Sequence, residues 1–407
     1  FLTINARISA AEVDLHPEND DKFLAQWLFY HLFVVSSTAD AGNGTLRQAI
    51  FDANATCGNN CRVTFRLPEE QRQRGWFFIR PQSPLPFINV AVMLVGPAGE
   101  QPQGHRVNPQ VMLDGSLLKF GHGLGFSGGN GGGISGLAIG NFPDAGVFLL
   151  GGIHRIENSF IGTLPNGLEA APNTRGIEAI GKQQLFIDHN VVSGNRRSGI
   201  TLSRMERPQI TRNAIGVGAN GVTPVPNGAS GVFLADQADW AFFFNNDIAY
   251  NVDFGIAMHP NVRRMLASVN AIYGNGQLGI DSGIDLDTPN VEDDRERVPN
   301  HPVITSARWD GTRTVIEGEM NSRTETDPPF IRRLRVELYA DDAARPQAHE
   351  FLGSAFVQNK KFRLTVTRDL RGTNVTAIGI RWLKVEQYDE YLLSEETSEI
   401  SPALRVE

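Results

Sequence analysis

Gly199-Ile200-Thr201-Leu202 and Gly231-Val232-Phe233-Leu234 are two copies of a phrase that recurs between residues 146 and 281. Further copies are Gly146-Val147-Phe148-Leu149 and Gly255-Ile256-Ala257-Met258, with looser ones at Gly176 and Gly279. A second phrase, Asn-x-(Ile/Val/Phe), alternates with the first and begins at Asn158, Asn190, Asn213, Asn246 and Asn270. Internal repeats outweigh local propensity as evidence about a fold.

The spacing of the glycine phrase suits one coil of a β-solenoid, in which short strands are joined by tight turns. Gly231, Gly255 and Gly279 follow one another at steps of 24 residues. Apolar residues alternate within each phrase with the period of a strand. Gly and Asn stand where turns need a positive φ, and stacked Asn side chains are expected to form an amide ladder. The repeat therefore predicts a parallel β-helix.

Two inserts interrupt the repeat, at residues 162–175 and 216–230. They share their turn chemistry, and the matching side chains are Asn166 and Asn173 in the first, Asn220 and Asn227 in the second. Insertions on one face of a solenoid often build its binding face. We expect the inserts, two coils apart, to touch, to wall one groove and to offer these four Asn residues to a substrate. Deleting both should leave the fold intact.

Composition narrows the range of partners. The chain has 407 residues, a net charge of −8 and no basic run, so nucleic acid and anionic membranes are poor candidates. No stretch is apolar over the length of a transmembrane helix. Cys57 and Cys61 are expected to form a disulfide in an oxidising compartment, with a two-Cys metal site as the less favoured alternative.

The N-terminal part is expected to hold a segment of unclear role and then a cap. Within residues 1–33, the apolar stretch 22–33 predicts a short helix that docks on the body or on another subunit. Residues 34–40 predict a strand, and Thr45 opens a capping-box pattern for a helix near residues 45–55. That helix would cover the open end of the first coil. Its apolar face is formed by Leu46, Ala49, Ile50 and Ala53.

The phrases Thr38-Ala39-Asp40, Gly44-Thr45-Leu46-Arg47-Gln48-Ala49-Ile50 and Ala53-Asn54 resemble the opening of secreted bacterial proteins with a CSLREA-type motif. The exit at Gly279-Ile280-Asp281 is similar too, and the resemblance covers roughly residues 34–400. It implies right-handed parallel β-helix repeats, a pectate-lyase-like solenoid, secretion and an immunoglobulin-like C-terminal module. It brings no shared catalytic residues. The charged stretch 288–299 departs from the family pattern.

Beyond residue 301 the glycine phrase stops, and short alternating strands predict a β-sandwich. Such a module usually serves as a spacer or a surface contact, so we expect no chemistry there. The predicted chain is all-β, with an N-terminal segment (1–33), a parallel β-helix (34–300) and an Ig-like sandwich (301–407).

Candidate site residues follow from the solenoid. Side chains two positions after each repeat glycine should point outward onto a groove, and these are Phe148, Glu178, Thr201, Phe233, Ala257 and Asp281. Glu178, with Arg204, Asp236 and His259 just beyond, could serve proton abstraction and charge neutralisation of a uronate. We favour the alternative, an ordinary solvated face. Phe148 and Phe233 would stack on sugar rings or pack under the inserts.

An acidic cluster near the end of the repeat could supply oxygen ligands for calcium. Its candidate ligands are Asp281, Asp285, Asp287 and Asp293. The alternative, somewhat favoured, is a solvated linker in which Arg295 and Arg297 neutralise the carboxylates.

Two functions therefore stand at this point. The first is a secreted or cell-surface protein that presents a binding face to a polysaccharide, a surface glycan or another surface protein, without catalysis. The second is a polysaccharide lyase, glycoside hydrolase or epimerase that acts in a groove on the β-helix.

Overall fold

The computed structural model describes residues 31–58, 61–97, 108–128, 130–181, 184–262, 264–284, 299–322, 330–341, 346–385 and 394–407. The predicted segment 1–33 therefore lies almost entirely outside the described residues, and so do Asp285, Asp287 and Asp293. Residues 31–33, assigned above to the end of a helix, instead begin the strand His31–Val35. For these three residues the helix prediction is wrong.

The chain winds through three sheets, named A, B and C here, and from the strand Val92–Val95 onward it passes through them in that order. Their strands pair in parallel, except for the two strands that begin sheet B. Sheet A contains His31–Val35, Cys61–Phe65, Val92–Val95, Asn130–Ser135, Ile153–Glu157, Leu185–Asp188, Gln209–Thr211, Ala241–Phe244 and Met265–Ser268. Sheet B contains Arg72–Gln73, Trp76–Ile79, Val111–Asp114, Leu137–Gly140, Phe160–Ile161, Val191–Val192, Ala214–Ile215, Asp247–Ala249 and Ala271–Tyr273. Sheet C contains Leu124–Ser127, Ala145–Leu150, Arg175–Ile180, Ile200–Ser203, Val232–Leu234, Ile256–Met258 and Ile280–Ser282. The predicted parallel β-helix is confirmed.

Two ladders of buried Asn side chains run along the solenoid. One follows sheet A and contains Asn190, Asn213, Asn246 and Asn270. The other follows sheet B and contains Asn173, Asn195, Asn227, Asn251 and Asn275. In both, every Nδ2 except that of the last Asn donates to the Oδ1 of the Asn on the next coil, at 2.8–3.1 Å. The first ladder was predicted, but Ser159 and not Asn158 stands at its position, since the Ser159 N–H donates to Asn190 Oδ1.

The repeat glycines are required by space and not by a positive φ, which corrects the sequence argument. Gly231 is not among the residues with positive φ. A Cβ added there would lie 2.7 Å from Asn251 Nδ2 and 2.8 Å from the Gly255 carbonyl oxygen. The repeat glycines therefore stand where the backbone at the start of each sheet C strand lies against the second Asn ladder, leaving no space for a side chain.

A helix covers the N-terminal end of the solenoid, as predicted. It spans Leu46–Thr56 and is capped by Thr45, whose hydroxyl accepts from the Gln48 N–H at 3.3 Å. Only half of the capping box forms, because Gln48 Nε2 donates to Asp52 instead. The predicted apolar face is buried, with Leu46, Ala49, Ile50 and Ala53 at most 5% exposed. The short 3₁₀ helix Glu69–Gln71 follows later.

The predicted disulfide joins Cys57 and Cys61, with an S–S distance of 2.06 Å. It links the C-cap residue of the capping helix, Cys57, to the first residue of the second strand of sheet A, Cys61.

The C-terminal part forms two antiparallel sheets that pack as a sandwich. The outer sheet contains Val303–Trp309, Thr314–Glu319 and Lys361–Val366. The capping sheet contains Phe330–Asp341, Glu350–Phe356, Asn374–Val385, Ser394–Ile400 and Leu404–Arg405. Between them lies a core that includes Ile316, Val336 and Ala377.

The other face of the capping sheet closes the last coil of the solenoid. Tyr339, Ile378 and Ile400 belong to the same hydrophobic cluster as the solenoid interior. Buried Glu337 accepts from Ser268 Oγ at 2.6 Å and from the Val269 N–H at 3.0 Å. The sandwich therefore acts as an end cap, where the sequence indicated only a spacer or surface contact. The division of the chain into domains at residue 300 stays a prediction.

The two inserts touch, as predicted, through a 2.9 Å hydrogen bond from the Ala219 N–H to the Gly167 carbonyl. They lie over the outer face of sheet B. Beneath them is an apolar cluster that contains Phe160, Val191 and Ala214 from the sheet with Ala171 and Val217 from the inserts. Deletion of both inserts would expose this cluster, and the expectation that the fold stays intact without them remains a prediction.

Candidate functional site: the outer face of sheet C

The outer face of sheet C presents one side chain per coil at the position expected from the repeat. Strand pairing aligns them in one row, which runs Phe148, Glu178, Thr201, Phe233, Ala257 and Asp281. The first four are partly exposed, whereas Ala257 is 2% and Asp281 0% exposed. Next to Asp281, Ser282 bonds to Glu399 of the capping sheet. The accessible row thus covers four coils, about 15 Å at the usual strand spacing.

Three rings pack together at the N-terminal end of this row. His122 stacks on Phe148 with ring centroids 4.4 Å apart and planes at 8°. Phe87 meets Phe148 edge-on at 6.1 Å and is 43% exposed. Gly125 precedes Phe148 in the row, and its missing side chain makes room for Phe87, whose ring would lie 2.7 Å from an added Cβ. The rings form a partly exposed apolar platform.

The capping helix, together with Asp40 before it, positions this platform. Arg47 donates to the carbonyls of Ser83 and Pro84, both at 2.8 Å, and pairs with Asp40. Asn54 Nδ2 donates to the Phe87 carbonyl at 2.7 Å. The segment that carries Phe87 is thereby tied to the capping helix, and Ile88 pairs alongside Phe126 of sheet C. Arg47 and Asn54 are positioning residues.

Charged groups lie beside the platform. Arg175 Nη1 and Glu178 Oε2 form an ion pair at 3.2 Å. Burial lowers the pKa of His122; the charges of Asp144 and Glu178 oppose this shift, and that of Arg175 adds to it. His122 Nδ1 accepts from the Ala145 N–H at 3.3 Å, so the neutral ring fits its surroundings. A carboxylate, an arginine and a histidine do meet here, but the arginine and histidine are not the predicted ones.

Arg204, Asp236 and His259 lie instead at the corner that follows sheet C. The Arg204 N–H donates to the Asp236 carbonyl at 2.8 Å. Asn261 bridges the other two, donating to Asp236 Oδ1 at 3.1 Å and to His259 Nδ1 at 3.3 Å. Glu178 lies apart from them, in mid-sheet. The catalytic role assigned to these four residues stays a prediction.

All four insert Asn residues make hydrogen bonds within the fold; burial corrects the assignment of Asn173 and Asn227 to substrate binding, whereas that of Asn166 and Asn220 stays a prediction. Asn173 and Asn227 are 0% exposed members of the second ladder. Asn166 and Asn220 accept from backbone N–H groups two and three residues later, as in Asx turns. Their Nδ2 atoms donate to Glu169 and Thr223. Phe148 does not lie beneath the inserts, because they cover sheet B.

The calcium prediction is reduced to one ligand among the described residues. Asp281 is buried and accepts from the Ile284 N–H at 2.7 Å. Within the described ranges, no three His, Cys, Asp or Glu side chains are grouped so that they could hold a metal ion. No described helix has the length and apolar character needed to span a membrane.

Residues 139–282 match the model of a family described as NosD, periplasmic copper-binding protein. No curated protein matches the chain. Among solved structures, similar ones are two mannuronan C-5 epimerase A-modules of Azotobacter vinelandii. That of AlgE6 is 12% identical, with a TM-score of 0.38, covering 61% of this chain and 72% of that one. That of AlgE4 is 13% identical, with a TM-score of 0.30, covering 61% and 73%.

A third similar structure is ORF18 of Geobacillus virus E2. It is 12% identical, with a TM-score of 0.27, over 98% of this chain and 80% of that one. At these scores the likenesses carry no argument about activity. The parallel β-helix is established by the strand pairing of the chain itself.

Proposed function

We propose that this chain is an extracytoplasmic β-helix protein that binds a polysaccharide along the outer face of sheet C. The observation that carries the proposal is the row of partly exposed side chains from Phe148 to Phe233, one per coil, which begins at the platform of Phe87, His122 and Phe148. A regular row suits a ligand that is itself a repeating chain. The rings offer stacking surfaces, and Glu178, Arg175 and Thr201 offer polar contacts.

The compartment is inferred from the disulfide between Cys57 and Cys61, since such bonds persist in oxidising environments. The matching family is described as periplasmic, which agrees with this placement. Its description also names copper. The described residues do not fit a copper site, because both cysteines are joined to each other and no metal-ligand cluster forms among the rest. The proposal involves no copper.

A lyase, hydrolase or epimerase acting on the same face is the second candidate. The ion pair of Glu178 with Arg175 beside His122 favours it. It differs from binding alone in one observable respect, because it predicts turnover of the bound glycan.

Affinity electrophoresis of the purified full chain in gels of neutral glycans and polyuronates tests the proposal. We expect at least one glycan to retard the chain. Phe148→Ala combined with Phe233→Ala should weaken binding about tenfold or more, given the apolar surface lost. Phe356→Ala is the matched control, because Phe356 is 55% exposed on the sandwich.

Melting curves of both variants show whether each remains folded. Equal retardation of the double variant and the control would refute sheet C as the binding face. New reducing ends, or unsaturated uronates that absorb in the ultraviolet, would favour the second candidate.

A further inference from the structure

A second constellation of ionisable side chains lies on the outer face of sheet A, outside the proposed binding face. Its centre is the carboxylate of Asp188. Oδ2 of Asp188 lies 2.7 Å from His189 Nδ1, and Oδ1 lies 2.8 Å from Arg212 Nη2. Thr211 on the next coil also donates to Oδ1. Burial raises the pKa of Asp188, but the hydrogen bonds from Arg212, Thr211 and His189 outweigh it, so the net pKa is lowered and the carboxylate stays ionised.

The contacts of His189 Nδ1 decide where the ring carries its proton. The Arg212 Nε–H also points at Nδ1, at 3.2 Å, a contact that suits the other tautomer, but the contact with the ionised carboxylate is shorter, at 2.7 Å. A carboxylate can only accept, so Nδ1 carries the hydrogen and donates it. Nε2 is then the basic nitrogen, and it makes no hydrogen bond within the described part of the chain. The side chain is 34% exposed. A carboxylate that orients a histidine in this way prepares it as a general base.

Arg212 stands beside this base at the equivalent corner of the next coil. Both residues have a φ of 55° and precede an Asn of the first ladder, which fixes the backbone beneath them. Of the five guanidinium donors, those on Nη1 make no hydrogen bond to a described residue. Arg212 can therefore hold the Asp188 carboxylate and still offer donors to an anionic ligand.

Aromatic rings flank the constellation along sheet A. Phe244 is paired in register with Thr211 and is 39% exposed. Phe242 stacks with Phe244 at 6.1 Å, with planes at 10°. Phe186 lies on the strand that also holds Asp188, and Arg155 of the preceding coil places its guanidinium 4.4 Å from the centroid of the Phe186 ring. Aromatic rings therefore lie both on the Asp188 strand and on the coil beyond Arg212.

We propose that this face is a catalytic site for glycans that contain uronates, and that it abstracts the proton at C5 of the sugar. His189 Nε2 takes that proton, and the electron pair moves into the carboxylate to form an enolate whose charge Arg212 stabilises. Return of a proton from the His189 imidazolium to the same face of C5, after the imidazolium has exchanged with solvent, gives hydrogen exchange at that carbon. Alternatively, the C4–O bond breaks as a C4=C5 double bond forms, and the departing oxygen takes the proton from the His189 imidazolium. Neither outcome needs a further reactant.

This site is independent of the binding proposed for sheet C. It lies on another sheet and uses none of the same side chains, so either proposal can fail without the other.

The test is incubation of the full chain in D₂O with polymannuronate and with polygalacturonate. Deuterium at C5, read by NMR, reports proton abstraction followed by return of a proton, and unsaturated uronates that absorb in the ultraviolet report elimination. We expect incorporation or elimination with at least one polymer, at a rate that falls 10²-fold or more in His189→Asn, a residue that tolerates positive φ. Asp188→Asn should slow the reaction and alter the pH dependence of its rate, since Asp188 positions both His189 and Arg212.

Asn245→Ala is the matched control, because Asn245 occupies the equivalent corner position with a φ of 56°. It should exchange at the rate of the unaltered chain. Absence of both exchange and unsaturated product above the level of His189→Asn, with both polymers, would overturn the proposal. So would a His189→Asn protein that melts normally and retains full exchange.

Discussion

Asn213 offers the sharpest test of what holds the coils in register. Its side chain is 0% exposed and makes four hydrogen bonds. Oδ1 accepts from the N–H and the Nδ2 of Asn190, at 2.9 and 3.0 Å. Nδ2 donates to the Ile187 carbonyl at 2.9 Å and to Asn246 Oδ1 at 3.0 Å. Asn213→Ala would take the Oδ1 acceptor away from two buried N–H groups of Asn190 and would remove both bonds donated by Nδ2.

Each buried unsatisfied group costs about 1–3 kcal/mol, so we expect a loss of roughly 2–6 kcal/mol in the free energy of unfolding. Urea unfolding followed by circular dichroism measures it. Asn220→Ala is the control, because Asn220 makes comparable bonds in an exposed turn. It should lose less than about 1 kcal/mol. Equal losses in the two variants would refute the view that the buried ladder stabilises the solenoid.

Three further predictions concern the repeat, the cap and the platform. Gly231→Ala should lower the melting temperature by several degrees, because its Cβ would meet Asn251 and Gly255; an unchanged temperature in calorimetry would contradict this. Glu337→Gln should cost about 2–4 kcal/mol, because Glu337 also binds Tyr339 and Arg335 at the cap, and urea unfolding measures it. Burial lowers the pKa of His122, so His122 binds a proton more readily in the unfolded chain than in the folded one. The free energy of unfolding should therefore fall as the pH falls from the unfolded-state pKa to the folded-state pKa of His122. His122→Phe should weaken this pH dependence in melting curves, and an unchanged dependence would contradict the prediction.

Most of the solenoid could be predicted because glycine and asparagine recur at regular positions in its repeat. Phe148 and Glu178 were placed side by side from their equal offset to Gly146 and Gly176, and strand pairing confirms this. Thr45 was identified as a cap from its spacing to Gln48. These features are local or periodic, which is what a single sequence reveals.

The second Asn ladder was missed although its signal is present in the sequence. Asn195, Asn227, Asn251 and Asn275 each stand four residues before a repeat glycine. That constant offset would have separated Asn227, and with it Asn173, from the exposed turn residues. Asn173 and Asn227 follow Pro172 and Pro226 inside the inserts, a sequence context that is also typical of exposed turns.

The repeat could not predict the aromatic platform or the C-terminal end cap. Phe87 and His122 belong to the first coils, which lack the glycine phrase, and they meet Phe148 only through the fold. The role of Glu337 depends on a contact between residues far apart in sequence. The dyad of Asp188 and His189 is adjacent in sequence, but Arg212 joins it only because the coils stack.

The most direct test of polysaccharide binding along sheet C is radical footprinting of the full chain, with and without the glycan that retards it. Oxidation of Phe148, Phe233 and Leu150 should fall when the glycan is bound, since Leu150 is 48% exposed at the edge of the same face. Phe356 on the sandwich should be oxidised equally in both samples. Protection confined to the sandwich or to the inserts, with the three sheet C residues unchanged, would contradict the account.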